Sequence, residues 1–154
     1  MTRVGDIVRS RPLLFVEDGM SVHEAAVYMT EQKVGAVPVL SADRLVGVFS
    51  ERDLMTRVVV LDLDPRLLLV REVMTRDLIV AEDDESIEVA EAKMTQRGCR
   101  HLPVLHEGRL LGFLSLRDLM GVDLETKSQE LAIMTHYVQW APPEVEARLR
   151  DALH

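Results

Sequence analysis

Cysteine occurs once in the 154 residues, at Cys99, so no intramolecular disulfide framework can brace this fold. No Cys or His cluster has zinc spacing either, and no metal is expected. Aromatic residues make up only 4% against 47% hydrophobic residues, which leaves Val, Leu, Ala and Met to build the core with few large anchors. Positive charge is scarce as well: 18 Lys and Arg face 26 Asp and Glu, for a formal net charge of -8. Grip on a phosphodiester chain relies on clusters of basic residues, so a nucleic-acid partner is set aside, although a local basic pocket is not. The apolar runs, residues 58–61 and 67–70 among them, are much too short to span a bilayer, and the N-terminus lacks the apolar centre of a signal peptide. These absences predict a cytoplasmic protein with no membrane partner.

What is present is a repeat. Residues 100–120, RHLPVLHEGRLLGFLSLRDLM, restate residues 35–55, GAVPVLSADRLVGVFSERDLM, sixty-five positions later without a gap, and eleven of the twenty-one pairs are identical. In each window Pro-Val-Leu opens an apolar run, a polar turn follows at 41–44 or 106–109, and a second apolar run surrounds Gly47 or Gly112. That pattern reads as strand, turn, strand. Each second strand runs into a Ser-x-x-Asp tetrad, Ser50 to Asp53 and Ser115 to Asp118, followed by Leu-Met and helix-forming sequence. The tetrad therefore sits where a strand becomes a helix.

The residues ahead of each window also match. Residues 4–8 form a short apolar lead-in, broken at Arg11-Pro12 because the proline ring removes a donor and pushes Arg11 toward extended geometry. Residues 13–16 then read as a buried strand and Glu17-Asp18-Gly19 as a turn. Ser21 with Glu24 three residues on is a capping box, and Val22, Ala25, Ala26 and Met29 share one face of the helix it starts, which Gly35 ends. A second helix is expected from Ser50 to about Val60. Residues 72–74, 78–81 and 82–85 repeat the lead-in, strand and acidic turn. The helix over 86–97 repeats the apolar face with Ile87, Ala90 and Met94, and Gly98 closes it. The chain thus divides into a first half at 4–60, a linker at 61–70 containing Pro65, a second half at 71–121, and a C-terminal helical extension at 122–154. In that extension Leu124, Leu131 and Val138 recur every seven residues before Trp140 and Pro142-Pro143. Neither half is expected to be stable alone.

The tetrad has two readings. A helix N-terminus offers unpaired N–H groups and partial positive charge to a phosphate, and Ser50 or Ser115 adds a hydroxyl there. Asp53 or Asp118 can accept both hydroxyls of a ribose, while Arg52 or Arg117 beside it reaches phosphate oxygens. The same four residues also form a capping box, with Ser at the N-cap and the acid at N3, which needs no ligand.

Taken together, the Pro-Val strand, the apolar-Gly-apolar-apolar-Ser-x-x-Asp run, its repetition and the Ser-capped Ala/Met helix before each copy resemble a tandem pair of CBS domains, or Bateman module. Phe49-Ser50-Glu51-Arg52-Asp53 and Arg100-His101-Leu102-Pro103-Val104 are similar to the short stand-alone bacterial CBS-pair proteins. The resemblance implies an α+β fold of two βαββα halves with mixed sheets, packed by pseudo-twofold symmetry around two clefts. It also implies an adenosine nucleotide (AMP, ADP or ATP, with NADH and S-adenosyl methionine as further candidates) as regulatory ligand, and no obligatory cofactor. A homodimer that acts on a downstream protein, as yet unknown, is implied too. For one cleft the base slot carries over to Arg11, Pro12 and Leu13 with Gly35, Ala36 and Val37. For the other it carries over to Thr75, Arg76 and Leu78 with Arg100, His101 and Leu102, and Pro38 and Pro103 complete the two sets. The first half departs from the family pattern at Val8-Arg9-Ser10-Arg11-Pro12, where Met74-Thr75-Arg76 of the second half keeps it.

Catalysis is not expected: there is no Gly-rich phosphate loop, metal-ligand cluster or nucleophile–base pair. Cys99 reads as a small core residue and His101 as structural rather than catalytic. The alternative to a nucleotide sensor is a ligand-free dimeric scaffold acting through its C-terminal extension.

Overall fold

The computed structural model describes residues 2–121. In order the elements are α1 (Val4–Arg9), β1 (Val16–Glu17), α2 (Val22–Gln32), β2 (Ala36–Ser41), β3 (Arg44–Ser50), α3 (Glu51–Leu54) continued by a π-helical turn (Met55–Val59), α4 (Val70–Val73), β4 (Ala81–Glu82), α5 (Ile87–Arg97), β5 (His101–His106) and β6 (Arg109–Ser115). The chain forms two units, Met1–Leu116 and Arg117–His154, and the first contains everything just named. Residues 116–121 are helical. The expected C-terminal extension lies outside the described residues.

Two three-stranded sheets result, β1-β2-β3 and β4-β5-β6, each with one parallel and one antiparallel pairing. The repeat in sequence is a repeat in register: Val16 pairs with Val39 and Ala81 with Val104, and the same irregularity falls between Val39 and Leu40 and between Val104 and Leu105. The mixed α+β architecture and its internal symmetry are as the sequence implies. Each hairpin turns through two residues with positive φ, Ala42 and Asp43 in one and Glu107 and Gly108 in the other, the backbone that a two-residue turn between twisted strands requires.

Ser21 starts α2 as its spacing predicts. Its hydroxyl accepts the Glu24 N–H at 3.1 Å and the Glu24 carboxylate accepts the Ser21 N–H at 3.4 Å, satisfying two donors that a helix start leaves unpaired. Val22, Ala25 and Met29 are buried on one face, with Ala26 at its edge. Three expectations need correction. The strand placed at 13–16 is only β1 at Val16–Glu17, because those two residues alone find partners on β2, and Leu13 is exposed. The strand placed at 78–81 likewise shrinks to Ala81–Glu82. Helix α2 ends earlier than Gly35, at Lys33, which takes the left-handed conformation (φ 57°) that Gly98 takes at the end of α5.

The halves exchange their lead-in segments. The core of the first sheet, Val16, Val22, Val37, Val39 and Phe49, is completed by Val70, Val73 and Met74 from the start of the second half. Conversely α1 packs on β4, β5 and β6, with Val4 N–H bound to the Glu85 carbonyl and Gly5 N–H to the Asp83 carbonyl, both at 3.0 Å. Burying three such side chains is worth roughly 5–9 kcal/mol, at about 1.5–3 kcal/mol each. That is comparable to the whole stability of an ordinary domain.

Candidate functional site

Ser50 ends β3 in extended geometry and caps α3. Its hydroxyl accepts the Asp53 N–H at 3.2 Å, and one Asp53 oxygen, Oδ2, accepts both the Ser50 N–H and the Ser50 hydroxyl at 3.0 Å. The capping box read from sequence is therefore formed. Helix α3 is also locked onto the start of β2, since the Glu51 N–H donates to the Gly35 carbonyl at 2.9 Å. A Cβ at Gly35 would stand 2.9 Å from Glu51 Oε1, the end of an exposed side chain that can move aside, and Gly35 does not end α2.

Capping does not account for the rest of Asp53. At 6% exposure it is the buried charged residue among the described residues, and a buried carboxylate is tolerable only when hydrogen-bonded. Its Oδ1 accepts the Thr75 hydroxyl at 3.1 Å, across 22 residues of sequence. Thr75 is fixed in turn by paired N–H···O bonds with Val48, both 2.9 Å. A carboxylate has about four acceptor positions, and these three hydroxyl and amide donors leave about one, on Oδ1. The exposed capping box of Ser21 and Glu24 has no such cross-repeat partner among its hydrogen bonds.

Asp53 lines a cleft of about 960 Å³, at the upper end of small-molecule sites at about 300–1,000 Å³. The first repeat supplies Gly35, Val48, Ser50, Glu51, Arg52, Asp53 and Met55. The second supplies Thr75, Asp77, Leu78, Ile79, Arg97, Gly98, Cys99, Arg100, His101 and Pro103. The His101 ring stacks on Phe113 with centroids 5.1 Å apart and planes 19° from parallel. Three arginines and three carboxylates share the walls, and Arg97 Nη2 meets Asp77 Oδ2 at 2.9 Å in an exposed pair. Such a pair opens at little cost. The site thus offers a buried acceptor, a flat ring and separable cations.

Of the residues singled out by sequence, the cleft gathers Gly35, Ser50, Arg52, Asp53, Thr75, Leu78, Arg100, His101 and Pro103. It regroups them: Gly35 faces the second repeat's Thr75, Leu78 and His101 instead of Arg11, Pro12 and Leu13. The exchange of lead-in segments is the cause. Ala36, Val37 and Leu102 are buried in the sheets, Pro38 is buried at its pairing with Val48, and Arg76 turns to the Arg71 carbonyl at 2.7 Å. Arg11, Pro12, Leu13 and Ser115 are not on this cleft, and Arg117 and Asp118 belong to the second unit. Cys99 is half-buried on the cleft wall and not a core residue. Sequence reasoning missed Glu51 and Asp77, whose only signal was adjacency to residues already chosen, and Arg97, which gave none.

The family model described as "CBS domain" matches residues 4–60 and again 70–125. The chain belongs to the CBS-domain family. Among relatives of this CBS pair, an uncharacterised protein of Methanopyrus kandleri is 29% identical over 122 residues, or 78% of this chain, and the match spans 62% of that relative's length. Among solved structures, a protein with CBS domains from Burkholderia ambifaria shares 31% identity with a TM-score of 0.75, covering 80% of this chain and 95% of that one. A CBS-domain protein of Pyrobaculum aerophilum, solved in complex with AMP, shares 28% identity with a TM-score of 0.70, covering 76% and 89% of the two chains.

Proposed function

We propose that this CBS pair is a non-catalytic regulatory module that binds an adenosine nucleotide in the cleft shared by its two repeats. The observation that carries the reading is the buried Asp53 carboxylate with an acceptor position remaining, set in a cleft that also holds His101 and three arginines. In this reading Asp53 accepts ribose hydroxyls and the His101 face, backed by Phe113, receives the base. Arg52, Arg97 or Arg100 meets phosphate. The AMP complex of the Pyrobaculum aerophilum relative supports the ligand class. AMP, ADP, ATP, NADH and S-adenosyl methionine are the compounds to compare. The module acts as a cytoplasmic homodimer, and a downstream protein reads its ligand state.

Calorimetric titration of the five compounds into wild type and Asp53→Ala tests this. Removing a carboxylate that holds a ribose weakens binding by roughly 1.5–3 kcal/mol, about ten- to a hundredfold, whereas loss of a helix cap alone costs about 1 kcal/mol of stability. Binding that Asp53→Ala weakens in a folded protein supports the site. Flat titrations with all five compounds overturn it and leave the tetrad as a cap.

A further inference from the structure

We infer that Arg57 is a positioning residue that ties the state of Asp53 to the junction between the two repeats. Arg57 lies four residues after Asp53, one helical turn along the same face, and its Nε stands 3.9 Å from Asp53 Oδ1. Its Nη1 donates to two carbonyls of the second repeat, Val73 at 3.0 Å and Met74 at 2.9 Å. Those carbonyls end α4 and have no helical partner of their own, and they directly precede Thr75, whose hydroxyl is bound to the same Oδ1. Asp53, Thr75, the Val73-Met74 backbone and Arg57 therefore close a ring that crosses from one repeat to the other.

The ring has a consequence for regulation, which rests on the nucleotide reading of the cleft. Two ribose hydroxyls on Asp53 need more acceptor positions than Oδ1 has left, so they displace the Thr75 hydroxyl and weaken the attraction between Asp53 and Arg57. At Thr75 and the two residues before it, the hydrogen bonds to the first repeat that then remain are those of Arg57 and the Val48 pairing. Arg57 itself sits in the π-helical turn Met55–Val59, an uncommon geometry concentrated at functional sites. Sixty-five residues on from Arg57 the sequence has Val122, which carries no guanidinium.

Amide hydrogen exchange on the full chain tests it, first without ligand. Arg57→Met keeps the apolar stem and removes the guanidinium. It is expected to speed exchange at the Thr75 and Val48 amides about tenfold, leaving the Met29 and Leu102 amides unchanged. Asp53→Asn is expected to speed the same two amides, and the double variant to exchange no faster than the quicker single one, since both break one ring. If Arg57→Met does not fold, Arg57→Lys takes its place in the cycle. With saturating AMP, wild type changes exchange at Thr75 and Val48, and the Arg57 variant loses that change while keeping the one at Ser50 to Asp53. Unaltered exchange at Thr75 in the ligand-free Arg57 variant, or effects of the two substitutions that multiply, overturns the inference. Failure of AMP to bind wild type counts against the nucleotide reading, while the ligand-free cycle still decides the role of Arg57.

Discussion

Gly47 and Gly112 occupy the same place in the two repeats for the same steric reason. A Cβ at Gly47 would stand 2.5 Å from Met74 Sδ and 2.9 Å from the Thr75 carbonyl, and one at Gly112 would run into Val8 Cβ. Each glycine makes room for the lead-in segment of the opposite half. Gly112→Ala is expected to destabilise the protein by about 1–3 kcal/mol, as overpacking of a filled core does. Adding Val8→Ala should not restore the loss, because alanine keeps the Cβ that stands in the way, and urea unfolding of both variants checks this. Lys33 presents the opposite opportunity, since it holds a left-handed conformation (φ 57°) that glycine adopts without a Cβ penalty. Lys33→Gly is expected to stabilise by about 0.5–1 kcal/mol, seen as a raised midpoint in thermal unfolding. The repeat alone hid this difference, because Gly98 closes α5 where Lys33 closes α2.

At the scale of elements, α1 is fastened to the second half through Asp83. The Asp83 carboxylate accepts from His106 Nδ1 at 3.0 Å and pairs with Arg9 of α1. The His106 hydrogen bond, assisted by Arg9 and opposed by partial burial, holds the Asp83 carboxyl below its ordinary value. A lowered folded value means that the unfolded chain binds the proton more readily. The contact therefore adds stability above the ordinary carboxylate range and loses it as the pH falls through the lowered value. Asp83→Asn is expected to be less stable than wild type at neutral pH, with the gap closing below pH about 4, in denaturant titrations across that range. The hairpins and the α2 and α5 helices were legible because alternation, Pro-Val openings and Ser caps are local signals. Helices α1 and α4 were not, since four to six residues with a single acidic residue in the first turn carry little periodicity. The two-residue strands β1 and β4 were overextended for a related reason. Apolar runs report burial, whereas strand length is set by how many residues find a partner on the neighbouring strand.

For the whole molecule, the repeat announced two halves with a shared core, and nothing in it said which lead-in segment meets which tetrad. That pairing depends on the crossing of α1 and α4 to opposite sheets, a long-range choice invisible to local pattern. Hence Ser50 and Asp53 were found from sequence, while Gly35 was grouped with Arg11, Pro12 and Leu13 although it shares a cleft with Thr75 and His101. The proposed homodimer has a surface to use: Val59, Val60, Leu61 and Leu67 are 60–82% exposed along the end of the first half and its linker. Exposed apolar clusters of this kind mark interfaces more often than chance. Val60→Glu is expected to shift the protein from dimer to monomer in sedimentation equilibrium with its helical content kept.

The proposed nucleotide site draws on both repeats, with Asp53 from the first and His101 from the second. A single set of AMP binding isotherms, for wild type, Asp53→Ala and His101→Ala, addresses it most directly. One saturable site is expected in wild type, weakened by each substitution about tenfold or more while the protein stays folded. A flat wild-type isotherm, or AMP binding that neither substitution changes, would contradict it.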